Sequence, residues 1–132
     1  MDAEEVRRRY GFRCGYCGVH EEEVGANLEI DHYQPRSAGG TDEPGNLVYC
    51  CPACNRFKGS DWPTPEQREA GQRLLHPGRD DLCAHVRQTD EGLLMPLTPT
   101  GAYHVGRLHL NRPSLVAVRL RRQTRRREHE GV

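Results

Sequence analysis

The fold is decided by residues 28–59, which read LEIDHYQPRSAGGTDEPGNLVYCCPACNRFKG. Residues 28–31 alternate apolar and polar side chains, the period of a half-buried strand, and residues 46–50 are a second strand candidate. Between them, residues 33–45 are rich in glycine, proline, serine and aspartate without periodicity, which is typical of a loop. Residues 54–58 have the character of a helix that ends at Gly59. The stretch predicts a strand, a long loop, a second strand and a short helix.

Two cysteine pairs of the same spacing accompany this stretch. Cys14 and Cys17 precede it, and Cys51 and Cys54 stand where its helix begins, with two residues inside each pair. Two such pairs supply the four soft ligands that a structural zinc ion prefers. A redox pair or plain buried thiols are the alternative, and the occurrence of two pairs in one short chain favours zinc.

The composition is that of one small domain with little apolar material. Of 132 residues, 35% are hydrophobic and 6% aromatic, and a bound metal ion often stabilises so thin a core. The formal net charge is zero, but residues 1–66 carry 7 basic and 12 acidic side chains, and residues 67–132 carry 12 and 7. The second half therefore suits an anionic partner and the first a cation. All basic residues except Lys58 are arginine, which suits bidentate phosphate contacts, although biased genome composition explains the same usage.

Several simpler features accompany these motifs. Residues 2–12 place acids before bases, which predicts a short helix, and the acidic run at residues 21–23 is expected to be solvated. Cys50 and Cys83 have no partner at the pair spacing, and we expect both to be buried. Neither a membrane-spanning run nor an export signal is visible, so the expected location is the cytoplasm, where thiols stay reduced.

Taken together, the motifs of residues 12–60 resemble the HNH endonuclease family. The shared elements are Cys14-x2-Cys17, Ile30-Asp31-His32-x2-Pro35, Gly39-Gly40, Asn46-Leu47 and Cys51-x2-Cys54-Asn55-x2-Lys58. The resemblance implies an α+β fold with a small ββα-metal (His-Me finger) core, stapled by a zinc site of four cysteines. The third signature position is Asn55 rather than histidine, a variation that the family accommodates.

The resemblance also implies a catalytic site of four residues. His32 is then the general base, since an imidazole can take a proton from water at physiological pH. Asp31 and Asn55 offer oxygen ligands to a catalytic Mg²⁺ or Mn²⁺ ion, which keeps waters and coordinates phosphate. Asn46 braces the long loop through backbone hydrogen bonds and so orients the histidine without touching metal.

Residues 63–132 are expected to form a C-terminal extension, packed with the finger of residues 1–62 as one unit. Its pattern predicts a β-hairpin over about residues 82–97 and two helices, one from about residue 98 and one over residues 114–128. A similar tail follows the finger in one group of small stand-alone bacterial HNH proteins. The arginine-rich end at residues 119–127 is either an arm that contacts phosphate or a solvated terminus. The expected nucleic-acid contacts are Arg56, Lys58, Arg121, Arg122 and Arg125.

These features predict a metal-dependent endonuclease that acts on nucleic acid, with double-stranded DNA as the expected substrate and no membrane association. A non-catalytic, zinc-stabilised nucleic-acid-binding module is the competing interpretation, and a zinc scaffold for protein contacts is a third. Asp31, His32 and Asn55 together favour the enzyme, because a pure binding module has no need of them. Monomer and homodimer both remain open.

Overall fold

A computed structural model describes residues 1–130, so residues 131 and 132 of the predicted extension lie outside it. Over this range the chain combines short helices with two antiparallel β-ribbons, an α+β arrangement. The helices are α1 (Ala3–Arg9), α2 (Glu21–Val24), α3 (Pro52–Lys58), α4 (Pro65–Glu69), α5 (Pro99–Arg107) and α6 (Pro113–Glu130). The strands are β1 (Glu29–His32), β2 (Leu47–Cys50), β3 (Val86–Gln88) and β4 (Leu94–Pro96).

The centre of the fold is a ββα unit. Strand β1 pairs antiparallel with β2, with Ile30 opposite Tyr49 and His32 opposite Leu47. All four residues of β2 are buried, and α1 packs against this strand. Helix α3 packs against β1. Helix α3 begins where the Cys51 sulfur accepts a hydrogen bond from a backbone N–H of the first turn. The predicted order of strand, loop, strand and helix is confirmed.

The acidic run at residues 21–23 does not behave as expected, because its first member is buried. Glu21 is 9% exposed, and its carboxylate accepts hydrogen bonds from Arg7, at 2.5 and 2.8 Å, and from the Tyr49 hydroxyl. These contacts, that of Arg7 first, hold the pKa of Glu21 at about 2. The carboxylate thus joins α1 to β2, and the prediction of a solvated run was wrong at this residue.

The extension contains the predicted hairpin and helices with shifted boundaries. Residues 82–84 form a 3-10 turn rather than a strand, so the hairpin is limited to β3 and β4. Cys83 lies in this turn and is exposed, which contradicts its expected burial, whereas Cys50 is fully buried. Helix α5 starts at a Thr98 cap, and a Cβ at Gly101 would lie 2.0 Å from the His85 carbonyl oxygen, so only glycine fits there.

Buried polar contacts connect the extension to the first 62 residues. His104 is 2% exposed; its Nδ1 accepts from Leu75 N at 3.0 Å, and its Nε2 lies 3.4 Å from the Tyr16 carbonyl oxygen. Burial lowers the pKa of His104 to about 4. Leu108 and Leu110, at the end of α5, are fully buried in the same core as β2. No helix among residues 1–130 is both long and apolar enough to cross a bilayer.

Candidate active site and metal centre

The four paired cysteines converge at one point of the fold. Their Sγ atoms all lie within 4.8 Å of one another, and those of Cys17 and Cys51 are 3.7 Å apart. A tetrahedral ion with metal–sulfur bonds of about 2.3 Å has sulfur–sulfur edges of about 3.8 Å, so this spacing fits zinc. Cys14 and Cys54 complete the set, and all but Cys17 are buried. The four cysteines are therefore positioned to hold a metal ion.

A cation from the extension lies beside this cluster. Arg112 places Nη2 4.0 Å from the sulfurs of both Cys51 and Cys54. Its Nη1 donates to the Leu108 carbonyl oxygen at 2.9 Å, and its guanidinium lies over the Phe57 ring. Because metal ligands must be thiolates, a fixed positive charge at this distance favours the ligating form of the cluster.

At the end of β1, the Asp31 side chain points into the protein. It is 9% exposed; its Oδ2 accepts from the Tyr16 hydroxyl at 2.9 Å and lies 3.2 Å from Lys58 Nζ. Burial, followed by the Asp31 charge, raises the pKa of Tyr16, which therefore stays protonated and donates. Oδ1 of Asp31 lies 3.5 Å from the same ammonium nitrogen.

Lys58 occupies a different environment from the one predicted. It is 4% exposed, and its Nζ donates to the His32 carbonyl oxygen at 2.9 Å besides pairing with Asp31. A side chain enclosed in this way has no surface to offer a phosphate. The phosphate-contact prediction for Lys58 is therefore replaced by an internal role, in which the last turn of α3 clamps the end of β1.

Asn55 and Glu29 meet across the same face of the ββα unit. Residues 29 and 31 alternate onto one side of β1, the side that faces α3. Asn55 Nδ2 donates to Glu29 Oε2 at 2.6 Å. Because a carboxylate only accepts, this contact fixes the amide orientation and leaves Oδ1, the amide atom able to bind a cation, without a contact to Glu29. Asp31 and Asn55 thus each have their own protein partner.

His32, on the other side of β1, is held by the long loop. Its Nε2 lies 2.7 Å from Asp42 Oδ1, and Arg36 Nη2 donates to the same oxygen at 2.8 Å. The His32 side chain is 21% exposed, whereas Asp42 and Arg36 are largely exposed. Hydrogen bonds from His32 and then Arg36 hold the pKa of Asp42 below its usual value. The imidazole is therefore anchored by one nitrogen and partly accessible to solvent.

Asn46 holds the two ends of this loop together. Its Oδ1 accepts from Gln34 N at 2.8 Å, and its Nδ2 donates to the carbonyl oxygens of Gln34 at 3.0 Å and Thr41 at 2.8 Å. The loop also requires a glycine, because a Cβ at Gly40 would lie 1.7 Å from the Gln34 carbonyl oxygen. Asn46 therefore fixes the backbone next to Asp42.

The same segment matches a family model described as HNH endonuclease, over residues 14–61. The match covers just over a third of the chain, and over this segment the chain is similar to HNH endonucleases. This HNH segment includes the cysteine cluster, the long loop and the whole ββα unit, while residues 1–13 and 62–132 lie outside it. Neither a curated protein nor a solved structure matches the chain.

The arginines predicted to contact nucleic acid fall into two groups. Arg56 of the HNH segment and Arg121 of α6 are exposed and line one cleft between α3 and α6, and Arg125 is exposed farther along α6. Arg122 instead makes contacts within the protein: its Nη2 donates to Glu23 at 2.6 Å and to the Gly18 carbonyl oxygen at 2.8 Å. Arg122 thus attaches α6 to the HNH segment, and its contact with nucleic acid stays a prediction.

Sequence reasoning missed four residues of this region. Glu29 could have been found from the sequence, because strand alternation places residue 29 on the same face as residue 31. Asp42 was treated as loop chemistry, and its approach to His32 depends on how the loop closes. No local pattern signals that Tyr16 and Arg112 reach Asp31 and the cysteine cluster, because each contact joins distant parts of the chain.

Proposed function

We propose that this chain is a metal-dependent endonuclease that hydrolyses phosphodiester bonds in double-stranded DNA. One arrangement carries the proposal: Asp31 and His32 are consecutive residues at the end of β1, His32 is anchored through Nε2, and the helix packed on that strand carries Asn55. The family match over the HNH segment supports the same class of reaction.

His32 is the proposed general base. Its hydrogen bond to Asp42 runs through Nε2, so Nδ1 is left to accept a proton from the attacking water. Asn46 keeps the loop in place through its contacts with Gln34 and Thr41. The partial exposure of the imidazole allows a phosphate and a water molecule to approach it.

Asp31 and Asn55 are the proposed ligands of Mg²⁺ or Mn²⁺. Carboxylate and amide oxygens are the donors that hard divalent cations prefer, and Glu29 holds the Asn55 amide with its oxygen available. When bound, such an ion neutralises negative charge on the phosphate and on the departing oxygen. Lys58 holds the Asp31 carboxylate in a fixed position.

The cysteine cluster is the proposed site of a structural Zn²⁺ ion. Four thiolates leave a tetrahedral ion without an open position, so this site has no place for a reacting group. It joins the turn at residues 14–17 to the start of α3, which carries Asn55. Thiolate ligands of this kind suit a reducing compartment such as the cytoplasm.

Arg56, Arg121 and Arg125 are the proposed contacts with the DNA backbone. The first two line one cleft, and the third continues the positive surface along α6. Contacts of this type are independent of base sequence and weaken as salt concentration rises. We therefore expect DNA binding to be largely independent of base sequence.

Plasmid cleavage tests the proposal. Zinc-loaded protein is incubated with supercoiled plasmid in Mg²⁺ or Mn²⁺, beside His32→Ala and a brief EDTA treatment during which zinc content is followed. His129→Ala is the matched control, since this histidine is exposed near the end of α6. We expect metal-dependent nicking by wild type and His129→Ala that His32→Ala lacks. Cleavage that survives His32→Ala contradicts the assignment of the base.

A non-catalytic DNA-binding module is the second candidate. One observation favours it: the Asp31 carboxylate is 9% exposed and already paired with the Lys58 ammonium, which competes with a metal cation for the same charge. DNA binding without cleavage in every divalent metal tried, with zinc retained, would establish this function instead.

A further inference from the structure

We propose that Asp42 is a positioning residue for His32, holding the imidazole in the tautomer whose Nδ1 is free to take a proton. This inference rests on the proposed function. The Nε2 atom of His32 lies 2.7 Å from Asp42 Oδ1. An ionised carboxylate only accepts hydrogen bonds, so Nε2 must carry the proton and Nδ1 keeps its lone pair.

Arg36 lies close enough to His32 Nε2 to compete with Asp42 for this nitrogen. Its Nε lies 3.3 Å from His32 Nε2, but 3.2 Å from Asp42 Oδ1, to which its Nη2 also donates at 2.8 Å. A guanidinium cannot accept a hydrogen bond, and Nε2 cannot donate to Asp42 while it accepts from Arg36. The closer contacts assign Arg36 to the carboxylate, so Arg36 selects the Asp42 oxygen that faces the imidazole.

The backbone around Asp42 is fixed even though its side chain is 68% exposed. Asn46 Nδ2 donates to the carbonyl oxygen of Thr41, the preceding residue, and Gly40 packs against Gln34 without room for a Cβ. Exposed charged pairs add little to the free energy of unfolding. The expected effect of Asp42 is therefore on catalysis, with stability unchanged, which separates a positioning role from a structural one.

Cleavage kinetics test the inference through Asp42→Ala, Asp42→Asn and a control, Glu43→Ala, which removes the neighbouring exposed charge. Single-turnover nicking is measured at saturating protein, with DNA affinity, zinc content and unfolding midpoint determined separately. Asp42→Ala should lower the nicking rate by roughly 10- to 100-fold, the size of effect that loss of a hydrogen-bond partner has on metal-bound histidines, while the other three quantities hold. Asp42→Asn should restore most of the rate, because Arg36 turns the amide oxygen toward Nε2.

A spectroscopic measurement tests the same contact without cleavage. Nitrogen-15 NMR of the His32 ring, assigned by its loss in His32→Ala and recorded where the imidazole is neutral, reports which nitrogen carries the proton. We expect the Nε2–H tautomer in wild type and Glu43→Ala, and a mixture in Asp42→Ala. An unchanged tautomer, a wild-type rate in Asp42→Ala, or asparagine performing no better than alanine overturns the inference. A wild-type chain that cuts no DNA overturns the proposed function instead.

Discussion

Replacing Lys58 by methionine is expected to lower the free energy of unfolding by about 3 kcal/mol, since loss of one partner of a buried ion pair costs about 3–5 kcal/mol. Lys58 is 4% exposed, its Nζ lies 3.2 Å from Asp31 Oδ2, and it donates to the His32 carbonyl oxygen at 2.9 Å. Methionine keeps most of the buried apolar stem, so the charge and its contacts are what is lost. Tyr16 still donates to Asp31, which places the cost at the lower end.

Urea unfolding of the zinc-loaded protein measures this loss. Trp62 is the only tryptophan in the sequence, and its ring packs edge-on against Tyr33 at 5.5 Å, so its fluorescence reports opening of this region. Arg56→Met is the matched control, because Arg56 is an exposed cation in the last turn of the same helix and its loss should cost less than about 1 kcal/mol. In an Asp31→Asn background, Lys58→Met should cost less by about 1 kcal/mol or more.

One result would refute this reasoning and restore the prediction made from the sequence. If Lys58→Met unfolds at the wild-type urea concentration while its DNA affinity falls, Lys58 contacts phosphate. If Lys58→Met lowers the free energy of unfolding equally in the wild-type and Asp31→Asn backgrounds, Lys58 and Asp31 do not form a pair in solution.

Three further predictions concern the metal, pH and DNA. Cys17→Ser should lose bound zinc and cooperative unfolding, since zinc binding is coupled to folding; retained zinc content and an unchanged melting temperature would contradict the cluster. Burial lowers the pKa of His104 to about 4, below that of an unfolded histidine. As pH falls, protons therefore bind the unfolded chain before they bind the folded one. The free energy of unfolding should fall by up to about 3 kcal/mol as pH drops from about 6.5 to 4. The free energy of unfolding of zinc-saturated protein, measured across this pH range, should fall more steeply for wild type than for His104→Asn. Arg56→Ala and Arg121→Ala should each reduce the salt dependence of DNA binding by about one unit of slope, whereas Arg87→Ala, an exposed arginine of the hairpin, should not.

Where the sequence predicted structure correctly, the information was local. Alternation over residues 28–31, the glycine- and proline-rich loop and the Gly59 stop gave the ββα order that the structure has. The helix predicted from about residue 98 is α5, which starts at the Thr98 cap. Such signals depend on neighbours within a few residues, because dihedral preferences and capping are decided there.

The candidate site was predictable in its residue types but not in their partners. The spacing of the cysteine pairs is a local pattern, and the cluster followed from it. By contrast, Lys58 was expected at a phosphate and lies beside Asp31, and Arg122 was expected on DNA and binds Glu23. The sequence alone does not distinguish a charged side chain that is paired within the protein from one that contacts nucleic acid.

The amino-acid sequence by itself determined the order of the ββα elements, the four cysteines that are positioned to hold a metal ion, and the similarity of residues 14–61 to HNH endonucleases. Only the tertiary structure decided which charges are used internally: it buries Glu21 and Lys58 in ion pairs and brings Asp42 onto the His32 imidazole. The physical reason is that a hydrogen bond or ion pair depends on a distance of about 3 Å between atoms that loop closure and packing bring together. Residues far apart along the chain, or at opposite ends of an irregular loop, carry no record of that distance in their own spacing.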